Sequence, residues 1–209
     1  MKEVCRYLHQ HSVPDIVHSD VKYLFILESP HRDELLSKTP LAGSAGITVT
    51  EVLKVCLNLL DNSTAFGSLM SDGFVPNDIG VFNACSVPLQ KVAYPKNSLI
   101  TEDMFIKLEA IRSNAKLRVR KNQFGSREEF NKIISVIHNR FKRRIKALNL
   151  KQDVTIVLCG EFAKDMWNVC FPEDSKAQLH LPHPAKGGWV NPSNTDKIIR
   201  LKQLLTSRK

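Results

Sequence analysis

Four short apolar runs constrain this chain most: Val21 to Leu27, Ile79 to Val87, Val154 to Cys159 and Ala177 to Leu181. Pro30, Gly160 and Pro182 stop three of them, and helical patterns lie between them. Runs this short, rich in Val, Ile, Leu and Phe, read as strands buried on both faces. Buried strands separated by helices predict an α/β domain with a central, mainly parallel four-stranded sheet between two helical layers. At 209 residues the chain suits one such domain, residues 1–209.

The helices carry their own signals. Thr48 and Glu51 form a capping box before Val52, Leu53, Cys56, Leu59 and Leu60, after a glycine-bearing loop from Pro40 to Gly46. Residues 61–77 read as loop. Ser126 and Glu129 form a second box, and Phe130, Ile133, Ile134, Ile137, Phe141, Ile145 and Leu148 follow at helical spacing. Glu161 to Cys170 reads as a short helix, and Ser193 to Leu205 as the last.

Charge is concentrated. Between Arg112 and Lys146 stand twelve basic residues, seven of them arginine, against Glu128 and Glu129; the rest of the chain holds 18 basic and 19 acidic residues. A basic helical segment over 112–148 therefore carries the whole excess and points to a polyanion, most simply nucleic acid. The plainer reading is a solvated helix face. No apolar run approaches a membrane span, and the N-terminus lacks the apolar stretch of a signal peptide, so a cytoplasmic protein without a membrane partner is expected. The five cysteines are scattered with no Cys-x-x-Cys, which argues against a disulfide framework and against a metal or iron–sulfur site.

In parallel sheets ligands bind beyond the carboxyl ends of the strands. Glu28, Asn83 and His183 stand there, each just past buried apolar residues. Singly, each has a structural reading: a turn cap, a loop anchor, a histidine in a rigid turn between prolines. A carboxylate, an amide and an imidazole at three strand ends together make a candidate site.

With these residues in view, Leu27-Glu28-Ser29-Pro30-His31 followed by Pro40-Leu41-Ala42-Gly43-Ser44-Ala45-Gly46 resembles the first motif of the uracil-DNA glycosylase superfamily. Phe82-Asn83, Val157 to Ala163 and Leu181-Pro182-His183-Pro184-Ala185 resemble its later motifs, in the same order, from about residue 21 to 190. The resemblance implies a monomeric enzyme that flips a base out of DNA and hydrolyses its N-glycosidic bond. It implies catalytic roles for Glu28, which would orient water and stabilise the cationic sugar, and for His183, which would hydrogen-bond the departing base. Asn83 would read the base edge, beside Leu41 and His31. The loop of Gly43, Ser44 and Gly46 would hold a DNA phosphate at a helix start. Lys186 would meet another phosphate, and Trp189 or Val190 would wedge into the minor groove. Arg140, Arg143 and Arg144 would supply backbone contacts from the basic segment.

The motifs also depart from the family pattern. His31 replaces a glycine, Leu41 a phenylalanine that stacks on uracil, and Ala185 a phosphate-gripping serine. The cluster cysteines of the family's iron–sulfur branch are missing apart from Cys85, so no cofactor is expected. The resemblance implies uracil as the excised base, and the altered pocket points to a base other than uracil, such as a bulky modified pyrimidine. Two rival readings stay open: a catalytically silent DNA-binding or base-sensing module on this fold, and a metal-dependent nuclease using His180 and His183.

Overall fold

The structure is a computed structural model that describes residues 10–60, 63–96, 98, 100–113 and 127–207. Its centre is a four-stranded sheet of β1 (Tyr23–Leu27), β2 (Ile79–Asn83), β3 (Thr155–Cys159) and β4 (Gln178–Leu181). The order is β2-β1-β3-β4 and every pairing is parallel, with Leu27 beside Asn83 and Cys159 beside Leu181. The chain reverses its direction of winding between β1 and β3, the usual place for a ligand crevice. The parallel three-layer α/β/α architecture expected from the sequence is present.

Alternation along the strands assigns the two faces. Leu24 and Ile26 of β1, with Ile156 and Leu158 of β3, pack under α4 (Glu102–Ser113), α5 (Arg127–Ala147) and α6 (Glu161–Cys170). Phe25 and Leu27, with Val157, Cys159, Leu179 and Leu181, pack under α2 (Ser44–Leu57), α3 (Phe66–Ser71) and α7 (Thr195–Thr206). Helices on both faces explain why β1, β2 and β3 are buried almost throughout, whereas the edge strand β4 alternates and leaves His180 exposed. The stripe on α5 behaves as its spacing predicts: Phe130, Ile133, Ile134, Ile137, Phe141 and Ile145 are all buried. No described helix is long and apolar enough to cross a membrane.

Several boundaries differ from the sequence reading. The second strand ends at Asn83 rather than Val87. Helix α2 begins at Ser44, a turn before the expected box, and Thr48 sits inside it with its hydroxyl donating to Ser44 O. Residues 61–77 are not simply loop, because α3 occupies Phe66–Ser71. Two helices carried no clear periodic signal, α4 and the six-residue α1 (Arg32–Ser37). Ser126 of the second expected box lies outside the described residues, and so does the middle of the basic segment. Of that segment, Arg112 stands in the last turn of α4, and α5 starts at Arg127.

The β1–α2 connection is held by close backbone approach. Leu41 has φ +55° and is buried. A side chain on Gly67 would bring its Cβ within 1.8 Å of Pro40 O, and one on Gly46 within 1.8 Å of Leu41 O. Gly67 N also donates to Leu41 O at 3.1 Å. Gly73, with φ +79°, meets nothing within 4 Å. Gly67→Ala should therefore cost about 2–3 kcal/mol by overpacking. Gly73→Ala should cost only the left-handed strain, about 1 kcal/mol. Urea unfolding midpoints distinguish the two, and equal losses would contradict this account of the loop.

Candidate active site

Three strand ends converge on one cavity. Glu28 follows β1, Asn83 closes β2 beside Leu27, and His183 lies two residues past β4. His183 must cross the end of β3 to reach the other two. Gly160 makes that possible: with φ +97° and no side chain it lets the ring lie over the strand end, where a Cβ would come within 3.2 Å of His183 Cβ. Gly188 is more tightly constrained, since a Cβ there would sit 2.0 Å from His183 O. The resulting cavity is about 350 Å³, within the usual range for small-molecule sites. Glu28, His31, Leu41, Gly43, Ser44, Asn83, His183 and Lys186 all line it, so most of the residues singled out in the sequence meet in one place.

Asn83 is the most constrained of these side chains. It is 1% exposed; its amide oxygen has no hydrogen-bond partner, and its amide nitrogen faces the Glu34 carboxylate without a close hydrogen bond. Leaving such groups unpaired costs about 1–3 kcal/mol, which a ligand edge offering a matching donor and acceptor would recover. Ser29 Oγ, on the same wall, is also buried and unpartnered.

His183 has a defined protonation pattern. Its Nδ1 accepts the Ala185 N–H at 3.2 Å, so the neutral ring carries its hydrogen on Nε2, as a donor. Burial lowers its pKa below the ordinary 6.5; the Glu28 carboxylate opposes that shift and the Arg112 guanidinium adds to it. Arg112 itself reaches in from the last turn of α4, where its Nε donates to Glu28 Oε1 at 2.5 Å.

Glu34 on α1 forms part of the cavity wall that sequence reasoning missed. Its Oε2 accepts the His31 N–H and its Oε1 the Leu41 N–H, both at 2.7 Å. Burial raises its pKa, against the two amide donors and the nearby Asn83 amide, which favour the charged form; Asp33 adds to the rise. No periodic signal marks a carboxylate in a six-residue helix between two prolines. The pairing of Arg112 with Glu28 spans 84 positions and leaves no sequence signal either.

Other expected contacts are placed differently. Gly46 does not line the cavity; it serves the close approach to Leu41. At the start of α2, Asp33 Oδ2 lies 2.9 Å from where a Cβ of Gly43 would be, so a carboxylate already stands beside the expected phosphate cradle. Trp189 is turned inward: it is 3% exposed, donates from Nε1 to Pro182 O at 2.9 Å and packs near Phe25. Val190 is the exposed apolar residue of that loop.

The arginines of α5 also diverge. Arg144 holds Asp15 through two N–H groups, donates to Asn83 O at 2.8 Å and lies 4.0 Å from the Phe82 ring centre. Arg140 bonds Ser86 and Ser12, both at 3.1 Å. These two tie the β2 end to the N-terminal segment, and Arg143 alone of the three is exposed. His180 bonds Gln178 and lines a separate depression with Lys197 and Arg200, away from His183.

No protein-family model matches this chain, and comparison with the curated proteins finds no match.

The imidazole assignment is directly measurable. Nitrogen-15 spectra should show His183 as the neutral Nε2–H tautomer at pH 7, with a titration midpoint below 6.5. An Nδ1–H tautomer, or a midpoint above 6.5, would contradict the geometry.

Proposed function

We propose that this protein is a monofunctional DNA glycosylase that hydrolyses the N-glycosidic bond of a flipped-out uracil or modified pyrimidine. The observation that carries the reading is the buried Asn83 amide, its oxygen unpaired, in a cavity shared with Glu28 and His183. The ordered motif resemblance to the uracil-DNA glycosylase superfamily supports it, and so does the basic balance of the chain. The partner is DNA, and the protein works as a cytoplasmic monomer without a cofactor, in base excision or in defence against phage carrying modified bases.

In this reading the flipped base enters the cavity and pairs its edge with Asn83, recovering the desolvation of the amide. The bond from C1′ to the base nitrogen breaks, and its electron pair leaves with the base. Positive charge on the sugar develops near the Glu28 carboxylate, which also accepts a hydrogen bond from the attacking water. Negative charge on a base oxygen meets the Nε2–H of His183. A neutral imidazole suits this role, because burial opposes its ionisation. Water oxygen bonds to C1′, its proton passes to Glu28 or solvent, and the base anion is protonated on release.

A second reading has one observation in its favour. Arg112 neutralises Glu28 in the free protein, as suits a silent base-sensing module. The nuclease reading is disfavoured, because His180 and His183 line different cavities.

Single-turnover base release separates these readings. Glu28→Gln and His183→Ala should each slow release by about 10²-fold or more. Asn83→Ala should weaken discrimination between bases. Rates equal to wild type in both catalytic variants would remove their assigned roles.

A further inference from the structure

Arg112 presents a chemical conflict at the proposed site. Its Nε lies 2.5 Å from Glu28 Oε1, and its side chain is 39% exposed against 17% for Glu28. A reaction that builds positive charge beside Glu28 meets a guanidinium already there. Like charges at such range repel, and a carboxylate already paired has less field to offer a cationic sugar. Arg112 therefore has to leave Glu28 for the carboxylate to act.

The way it is held permits that. One N–H joins Arg112 to Glu28, whereas Arg144 grips Asp15 with two, adds the Asn83 carbonyl and stacks on Phe82. A partly exposed, single-point ion pair is weak and readily exchanged. The guanidinium fork matches a phosphate better than a single carboxylate oxygen. Lys186 is a second cation lining the same cavity. Resting on the glycosylase reading, we infer that Arg112 is an exchangeable gate. In the free protein it covers Glu28; when DNA docks, it transfers to a backbone phosphate flanking the flipped nucleotide. Each charge then keeps a partner: arginine the phosphate, Glu28 the developing sugar cation. The carboxylate is exposed only when DNA is in place, which makes Arg112 a positioning residue acting through Glu28.

The test is a double-mutant cycle read by binding alone. Wild type, Glu28→Gln, Arg112→Gln and the double variant are titrated with a duplex containing one tetrahydrofuran abasic analogue, between about 50 and 200 mM salt. Thermal melts confirm that each variant is folded. Arg112→Gln should bind about tenfold more weakly, with the slope of log affinity against log salt reduced by about one unit. Glu28→Gln should bind about three- to tenfold more tightly, because the arginine no longer has to be withdrawn from it; in the Arg112→Gln background the same change should alter affinity less than about twofold. An unchanged salt slope in Arg112→Gln overturns the inference, and so does equal tightening by Glu28→Gln in both backgrounds. A wild-type protein that binds no duplex overturns the glycosylase reading, and this inference with it.

Discussion

The buried carboxylate of Glu34 sets the shape of the site. It lies in a wall that needs two backbone N–H groups satisfied, those of His31 and Leu41, and it satisfies both at 2.7 Å. Without it, the buried Leu41 amide would cost about 1–3 kcal/mol, and the left-handed backbone of Leu41 would lose one of the bonds that hold it. The Leu41 turn in turn presents the carbonyl that Gly67 bonds and Gly46 closely approaches, which fixes where α2 begins and where Ser44 meets the cavity. Glu34 also stands beside the Asn83 amide at the end of β2, whose oxygen has no partner. One desolvated carboxylate thus links the first loop, the start of α2 and the polar end of β2.

Much of this was legible in the sequence for one reason. A parallel sheet buried on both faces is written as apolar runs, and the residue after each run is placed at the carboxyl edge whatever the loops do. Glu28 and His183 follow from that rule; Asn83 lay inside the expected run and stands at the edge because β2 ends there, and all three share the cavity. Gly160 serves the same edge, since its left-handed φ and its tight approach to His183 both favour a residue without a side chain at the end of β3. Glu34 and Arg112 were not legible. The first acts within a helix too short to show periodicity, and the second meets its partner only through tertiary packing. The α2 boundary was misread because Thr48 and Glu51 imitate a capping box, whereas the helix is continuous from Ser44.

Charge counting does not say which cations are already paired. The basic segment suggested a single DNA-facing surface, yet Arg144 and Arg140 are committed to Asp15, Ser12 and Ser86 and to the backbone of Asn83. Their task is to brace the end of β2 behind the cavity. A sequence records that an arginine is present but not whether it is consumed by a buried partner. The same applies to Trp189, whose indole N–H is spent on Pro182 O. The cations that line the cavity itself are Lys186 and, from the first position of the basic segment, Arg112.

The central claim is that this cavity breaks a glycosidic bond. The most direct measurement is product stoichiometry by mass spectrometry, on a set of duplexes that each carry one uracil or one modified pyrimidine. The account predicts that one of these duplexes yields free base and an intact strand bearing an alkali-labile abasic site, in equal amounts. Strands that stay unaltered across the whole set while still binding would contradict catalysis and leave a silent module; direct nicks without released base would contradict the mechanism itself.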